Sequence, residues 1–184
     1  MKNAIILHGT DNSSQGNWFP WLKKELENAG WKVYVPDLPH SNIPNCERYN
    51  TFLKSQEAFH IDNETVLIGH SSGALAVMGI LQELPEEVLV EHAVLVSAFV
   101  TNLGWDSLTE IAGTPFDHEK IKKHARKITM LNGEEDPYIP LEEPKELAKK
   151  LDAELIILKD QGHFSSGDDP KYKTFPYLLE LITK

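Results

Sequence analysis

The stretch Thr65-Val66-Leu67-Ile68-Gly69-His70-Ser71-Ser72-Gly73-Ala74-Leu75-Ala76-Val77-Met78-Gly79-Ile80-Leu81 joins a short apolar run, a glycine-flanked serine and a second, longer apolar run. Thr65–Ile68 is nearly continuous in its hydrophobicity rather than alternating, the pattern of a strand buried on both faces of a parallel sheet. Ala74–Leu81 is apolar almost all round, so the helix it predicts is central and buried. Between them, Gly69-His70-Ser71-Ser72-Gly73 reads G-x-S-x-G in the setting its chemistry requires, a sharp turn from strand into helix. Such a turn holds the serine in a strained backbone conformation, and a Cβ two positions away would clash with the packing strand or helix.

The same rhythm extends in both directions. Short apolar runs recur at Ala4–Leu7, Val33–Val35, Ala93–Val96, Ile128–Leu131 and Leu155–Leu158. Helix-length amphipathic stretches lie between them at Trp18–Asn28, Cys46–Phe59 and Glu142–Leu151, and Tyr172–Thr183 closes the chain. Gly30 supplies a C-terminal stop for the first helix. Strands alternating with helices call for right-handed crossovers and an open sheet covered on both faces. The expectation is one α/β domain over residues 1–184, a three-layer sandwich around a mostly or wholly parallel six-stranded sheet. Only residues 99–119 break the pattern, with poor periodicity, two glycines, a proline and scattered aromatics. A segment that long and irregular is more often functional than connective, and a short cap-like insertion is expected there.

Ligands of open α/β sheets bind beyond the carboxyl ends of the strands, so the residues following each run carry the functional reading. A serine hydroxyl is a weak nucleophile until a base takes its proton, and the base must be oriented by a third group. After the fifth run the chain reads Asn132-Gly133-Glu134-Glu135-Asp136-Pro137, and after the sixth Asp160-Gln161-Gly162-His163-Phe164. Acid and base thus follow Ser71 in the order this fold uses. His163 is the expected base and Asp136 its acid, because Pro137 fixes the following turn and a short side chain is held rigidly. Glu134, Glu135 and Asp160 are the rivals. An oxyanion hole needs the backbone N–H of the residue after the nucleophile, Ser72, and a second donor from the loop His8-Gly9-Thr10-Asp11-Asn12, where Thr10 is preferred and Gly9 comes second. His70 reads as the free position of the motif and His8 as a group packed behind the loop. The remaining histidines form no ligand-spaced pair, so no metal or other cofactor is expected. Among the large apolar residues of the insertion (Phe99, Leu103, Trp105, Leu108 and Phe116), Trp105, Phe116 and Phe99 are expected to line an acyl pocket over Ser71.

With 184 residues and 41% hydrophobic content the chain can build one sizeable core. A formal net charge of −10 argues against nucleic acid and anionic membrane surfaces as partners. The basic stretch Lys120, Lys122, Lys123, Arg126, Lys127 reads as a solvated helix face. Cys46 is the single cysteine, so no internal disulfide exists, and with no signal or membrane-spanning stretch a cytoplasmic protein is expected.

Taken together, Leu7-His8-Gly9, Asn17-Trp18-Phe19-Pro20-Trp21-Leu22, Gly69-His70-Ser71-Ser72-Gly73, Asp136-Pro137 and Gly162-His163-Phe164 resemble the small serine hydrolases related to retinoblastoma-binding protein 9 and the bacterial YdeN proteins. The resemblance runs over essentially the whole chain, and its Asn-Trp-Phe-Pro-Trp segment is more particular than the triad loops. It implies a triad on Ser71, Asp136 and His163, and a trimmed α/β-hydrolase fold without the antiparallel strands that open larger members. It also marks a departure. The Leu-x-Cys-x-Glu stretch associated with the retinoblastoma-binding member has no counterpart in Phe59-His60-Ile61-Asp62-Asn63-Glu64, so binding to a pocket protein has no support here. The expected function is hydrolysis of small carboxylic esters, thioesters or amides through an acyl-enzyme, with a small-molecule acyl substrate as partner. The alternatives are a non-catalytic interaction module on the same fold, or acyl transfer to an acceptor other than water.

Overall fold

The computed structural model describes residues 1–184. Six strands form one sheet: β1 (Asn3–Leu7), β2 (Lys32–Tyr34), β3 (Thr65–His70), β4 (His92–Val96), β5 (Ile128–Gly133) and β6 (Glu154–Leu158). Their order is β2-β1-β3-β4-β5-β6, and every neighbouring pair is parallel. The order reverses direction at β1 and β3, the crevice where open α/β sheets bind ligands.

Alternate strand residues feed two separate cores. Ile5, Leu7, Leu67, Ala93, Leu95 and Met130 pack against α2 (Cys46–Lys54), α3 (Ser72–Leu81), α4 (Thr109–Ala112), α5 (His118–Lys123) and α6 (Glu142–Leu151). Ala4, Ile6, Val66, Ile68, Val94, Val96 and Leu131 pack against α1 (Phe19–Asn28) and α7 (Pro176–Thr183). The two-residue period of a strand sends neighbouring side chains to opposite faces, so continuous apolar runs are what a sheet covered on both sides requires. All ten residues of α3 are buried, in keeping with its unbroken hydrophobicity.

Local chemistry sets the element ends. In α1, Pro20 occupies the first turn, and Gly30 (φ 84°) follows the C-cap while the Trp31 N–H reaches back to the Leu26 carbonyl at 3.0 Å. In α2, the Asn45 side chain accepts from the Arg48 N–H at 2.8 Å. This helix ends at Lys54, short of the expected Phe59, because the Ser55 hydroxyl donates to the Phe52 carbonyl at 2.7 Å and the chain tightens into i−3 bonds. The C-terminal stretch expected as one helix is divided into a 3-10 turn at Pro170–Lys173 and α7, which Pro176 opens. The irregular segment after β4 contains a 3-10 turn at Asp106–Leu108, then α4 and α5. On and just after α5 the basic residues are largely paired, Lys122 with Glu119 at 2.6 Å, Arg126 with Glu91 at 3.3 Å and Lys127 with Glu154 at 3.0 Å.

Candidate active site

Ser71 ends the turn between β3 and α3, with φ 57° and ψ −125°, a conformation disfavoured for any residue with a Cβ. The backbone is pinned on both sides: the Ser71 N–H donates to the Val96 carbonyl at 2.8 Å, and its carbonyl accepts from the Ala74 N–H at 2.9 Å. Glycine is needed at the flanks because of close approach. A Cβ on Gly69 would run into the Gly73 backbone, and one on Gly73 into the Leu7 and His8 carbonyls. The helix N-terminus is thereby pressed against the end of β1, and Gly9 comes so near that a Cβ there would lie 2.9 Å from that of Ser71.

His163 follows β6 and Asp136 follows β5. His163 Nδ1 lies 2.8 Å from Asp136 Oδ2, with the Asp136 side chain 1% and the His163 side chain 10% exposed. The other carboxylate oxygen, Oδ1, accepts from the Tyr138 N–H at 2.9 Å and the Ile139 N–H at 3.1 Å, so the turn after Pro137 locks the carboxylate. Burial alone would raise the Asp136 pKa. The His163 ring and the two backbone N–H groups outweigh it and hold the carboxyl below its ordinary value. An ionised carboxylate can only accept, so Nδ1 of His163 carries the proton in this hydrogen bond. Glu134, Glu135 and Asp160 are exposed, and the carboxylate that bonds the imidazole is that of Asp136. Ser71 and His163 line one cleft without a direct hydrogen bond between Oγ and the ring.

On the other side of Ser71, the Thr10 hydroxyl bonds the Ser72 hydroxyl at 2.9 Å, tying the loop after β1 to the start of α3. Neither the Thr10 nor the Ser72 N–H has an acceptor within the protein, and the Gly9 N–H is also free. Unpaired donors beside Ser71, one of them at a helix N-terminus, are suited to a developing negative charge. His8 braces this loop from behind, with Nδ1 donating to the Gly9 carbonyl at 2.9 Å and Nε2 accepting from the Leu38 N–H at 2.9 Å.

The cleft encloses about 240 Å³. Its apolar wall is Leu103, Trp105, Leu108 and Ile139, with the Tyr138 ring standing edge-on to His163 at 5.0 Å and to Trp105 at 6.2 Å. Trp105 is 53% exposed at the mouth. The Tyr138 hydroxyl donates to Asp168 at 2.8 Å, bridging the loops after β5 and β6. Two of the expected pocket residues lie elsewhere. Phe99 is 1% exposed in the core, and Phe116 packs at the edge of that core; both line a separate cavity with Met78 and Leu147. Phe99 follows Ser97, whose φ of 51° turns the chain away from the strand direction, so the first aromatic of the segment enters the core rather than the cleft.

Several residues at the site had no role in the sequence reading: Tyr138, Asp168, Asn17 and His70. His70 is fully buried, with its ring 4.9 Å from that of His163. Its position inside the motif was visible, but nothing in the spacing tells that its ring turns toward the loop after β6. Asn17 was visible only as the first residue of the Asn-Trp-Phe-Pro-Trp segment.

A family model described as serine hydrolase matches residues 4–184. The chain is 34% identical over 173 residues to the rat serine hydrolase RBBP9, covering 90% of this chain and 88% of that protein. It is 30% identical over 184 residues to YdeN of Bacillus subtilis, covering 99% and 95%. The crystal structure of the ydeN gene product superimposes with a TM-score of 0.88 and 28% identity, covering 100% of this chain and 97% of that one. Methylesterase 1 of Arabidopsis thaliana is 33% identical over 111 residues, which are 54% of this chain and 40% of that protein.

Proposed function

This chain belongs to the serine hydrolase family, and from that premise we propose that it hydrolyses small carboxylic esters, thioesters or amides through an acyl-enzyme on Ser71. The observation that carries the reading is the buried His163–Asp136 pair, 2.8 Å apart, opening onto the cleft that holds Ser71 on its strained turn. The partial likeness to a methylesterase favours esters within that range.

In the first half-reaction Ser71 Oγ attacks the acyl carbonyl carbon while His163 Nε2 takes the hydroxyl proton. The imidazolium that forms donates from Nδ1 to Asp136, which stays ionised and stabilises it. Negative charge on the former carbonyl oxygen is received by the Thr10 and Ser72 N–H groups, already oriented and without competing acceptors. Collapse breaks the bond to the leaving group, which takes the proton from His163 Nε2 and departs as alcohol, thiol or amine. Water then repeats the sequence on the acyl-serine, giving its proton to His163, and the acid leaves as Ser71 regains its hydrogen. An interaction module would have no use for a strained serine, a buried ionised aspartate and a pair of free N–H groups converging on one cleft. Cytoplasmic residence, where thiols stay reduced, fits the lone buried Cys46.

Covalent labelling with a fluorophosphonate probe, followed by peptide mapping, tests the nucleophile. Ser71 is expected to carry the label, and Ser71→Ala is expected to lose both label and esterase turnover with an unchanged far-UV CD spectrum. Labelling that survives Ser71→Ala would refute the assignment.

A further inference from the structure

The loop that carries His163 is itself strained. Phe164 sits at φ 54°, a conformation that a bulky residue keeps only when its surroundings over-determine it. Part of that constraint is apolar: the Phe164 ring stacks on Phe175 at 4.8 Å and meets Tyr172 edge-on at 5.4 Å. The rest is polar and comes from two residues distant in sequence. His70 Nε2 lies 2.7 Å from the His163 carbonyl oxygen, and Asn17 Oδ1 accepts from the Ser166 N–H at 2.9 Å and the Ser166 hydroxyl at 3.2 Å. The strained residue is thus bracketed, at the carbonyl before it and the N–H two residues after.

The two brackets are joined to each other. A carbonyl only accepts, so His70 Nε2 bears a proton; burial, with the neighbouring His163 ring adding to it, pushes the His70 pKa down to about 3 and keeps the ring neutral. Its Nδ1 is then an acceptor, and Asn17 Nδ2 lies 3.4 Å away to donate to it. One arrangement of the Asn17 amide satisfies both sides, Nδ2 toward His70 and Oδ1 toward Ser166. His70 also has no freedom to turn, being flanked by the rings of Trp18 at 6.1 Å and Phe19 at 6.0 Å. Because His70 immediately precedes Ser71, the chain that sets the nucleophile and the chain that sets the base are connected through one side chain and one amide.

We propose that Asn17 and His70 are positioning residues that form a two-point clamp on residues 163–166 and fix the His163 imidazole relative to Ser71. The inference rests on the reading of His163 as the general base. It also gives a physical reason for an asparagine at the head of the Asn-Trp-Phe-Pro-Trp segment: Trp18 and Phe19 are buried in the core, Pro20 sits in the first turn of α1, and Asn17 reaches across to the loop itself.

The test is a double-mutant cycle on p-nitrophenyl acetate hydrolysis, with Asn17→Ala made in the wild-type and His163→Ala backgrounds. A displacement of about 1 Å in a catalytic group lowers rate on the order of 10²-fold, so Asn17→Ala is expected to lower kcat by about 10- to 100-fold with KM changed far less. In the His163→Ala background the same substitution is expected to change the residual rate less than about two-fold, since there is no imidazole left to position. An equal loss in both backgrounds would overturn the clamp and mark Asn17 as a substrate-binding or merely structural residue. A His163→Ala protein that keeps wild-type activity would instead overturn the reading of the base, a separate failure. Thermal melts report folding of each variant. Should Asn17→Ala not fold, His70→Asn in the same two backgrounds is read the same way.

Discussion

Stability should fall steeply on mild acidification because the fold holds buried histidines neutral. His92 on β4 is buried with Nε2 2.9 Å from the Thr129 hydroxyl, and burial, helped by Lys127, lowers its pKa to about 4. His70, lowered to about 3, behaves alike, and burial also pushes the His8 pKa down. In the unfolded chain each titrates near ~6.5. Below that pH the unfolded state binds protons that the native state refuses, so the stabilisation is complete above about pH 6.5 and is lost as pH falls toward the folded values. At pH 5 each of His70 and His92 has forfeited about 2 kcal/mol, and the two together about 4 kcal/mol, a large share of the ~5–15 kcal/mol typical of a domain. Urea unfolding midpoints at pH 8, 7, 6 and 5, at fixed ionic strength and with the slope m checked for constancy, measure the loss. His92 is the residue to change, since it lies at the opposite end of β4 from the cleft. His92→Gln is expected to shrink the stability difference between pH 8 and pH 5 by about 2 kcal/mol, whatever it does to stability at pH 8. A wild-type midpoint that stays flat between pH 7 and pH 5, or a His92→Gln protein with the wild-type pH dependence, would refute the reasoning.

The acid is tested by substitution: Asp136→Asn is expected to lower kcat on the order of 10⁴-fold by removing the acceptor that fixes the His163 tautomer. Glu134→Gln, Glu135→Gln and Asp160→Asn should each leave kcat within about two-fold, and a larger loss from any of them than from Asp136→Asn would move the acid there. For the acyl site, the cleft of about 240 Å³ should favour short acyl chains, each added methylene gaining at most ~0.8 kcal/mol until the space is full. Trp105→Ala is expected to shift the acetyl-to-octanoyl profile of kcat/KM while changing the denaturant midpoint little, because the ring is half exposed; an unaltered profile would remove Trp105 from the site.

The fold was legible because burial on both faces leaves a mark in composition. β1, β3 and β4 lie inside the sheet, and each contains an unbroken apolar run, with a helix pattern following the first two. The edge strands were harder, since β2 is only three residues long and partly exposed, and β6 opens on an exposed Glu154. The glycines around Ser71 were legible for a different reason. Their backbones approach Leu7, His8 and each other too closely for any side chain, so the sequence has to declare the turn openly. Asp136 was separable from its acidic neighbours only through Pro137 and its shorter side chain, and the distinguishing facts, burial and the Tyr138 and Ile139 N–H bonds, exist only after folding.

The lining of the cleft was not legible, because the direction of a side chain in an aperiodic segment depends on backbone turns that carry no residue signature. Two such turns decide the matter here, Ser97 at φ 51° and Leu103 at φ 54°. Either would have been announced by a glycine; a serine and a leucine announce nothing. Phe99 therefore follows one turn into the core, and Trp105 follows the other, through Gly104 at φ 78°, to the mouth of the cleft. What holds these conformations is remote in sequence. Glu143, on α6, accepts from the Val100 N–H at 2.6 Å, the Thr101 N–H at 2.8 Å and the Thr101 hydroxyl, fixing the segment between the two turns. The loop after β6 obeys the same logic, with Phe164 at φ 54° held by Asn17, His70 and an aromatic stack. Positive φ at a residue with a Cβ is the common feature of Ser71, the segment that turns Trp105 outward, and the loop that presents His163. In each the backbone is kept in place by hydrogen bonds from other elements, and outside the glycine-flanked turn at Ser71 no local pattern encodes those long-range contacts.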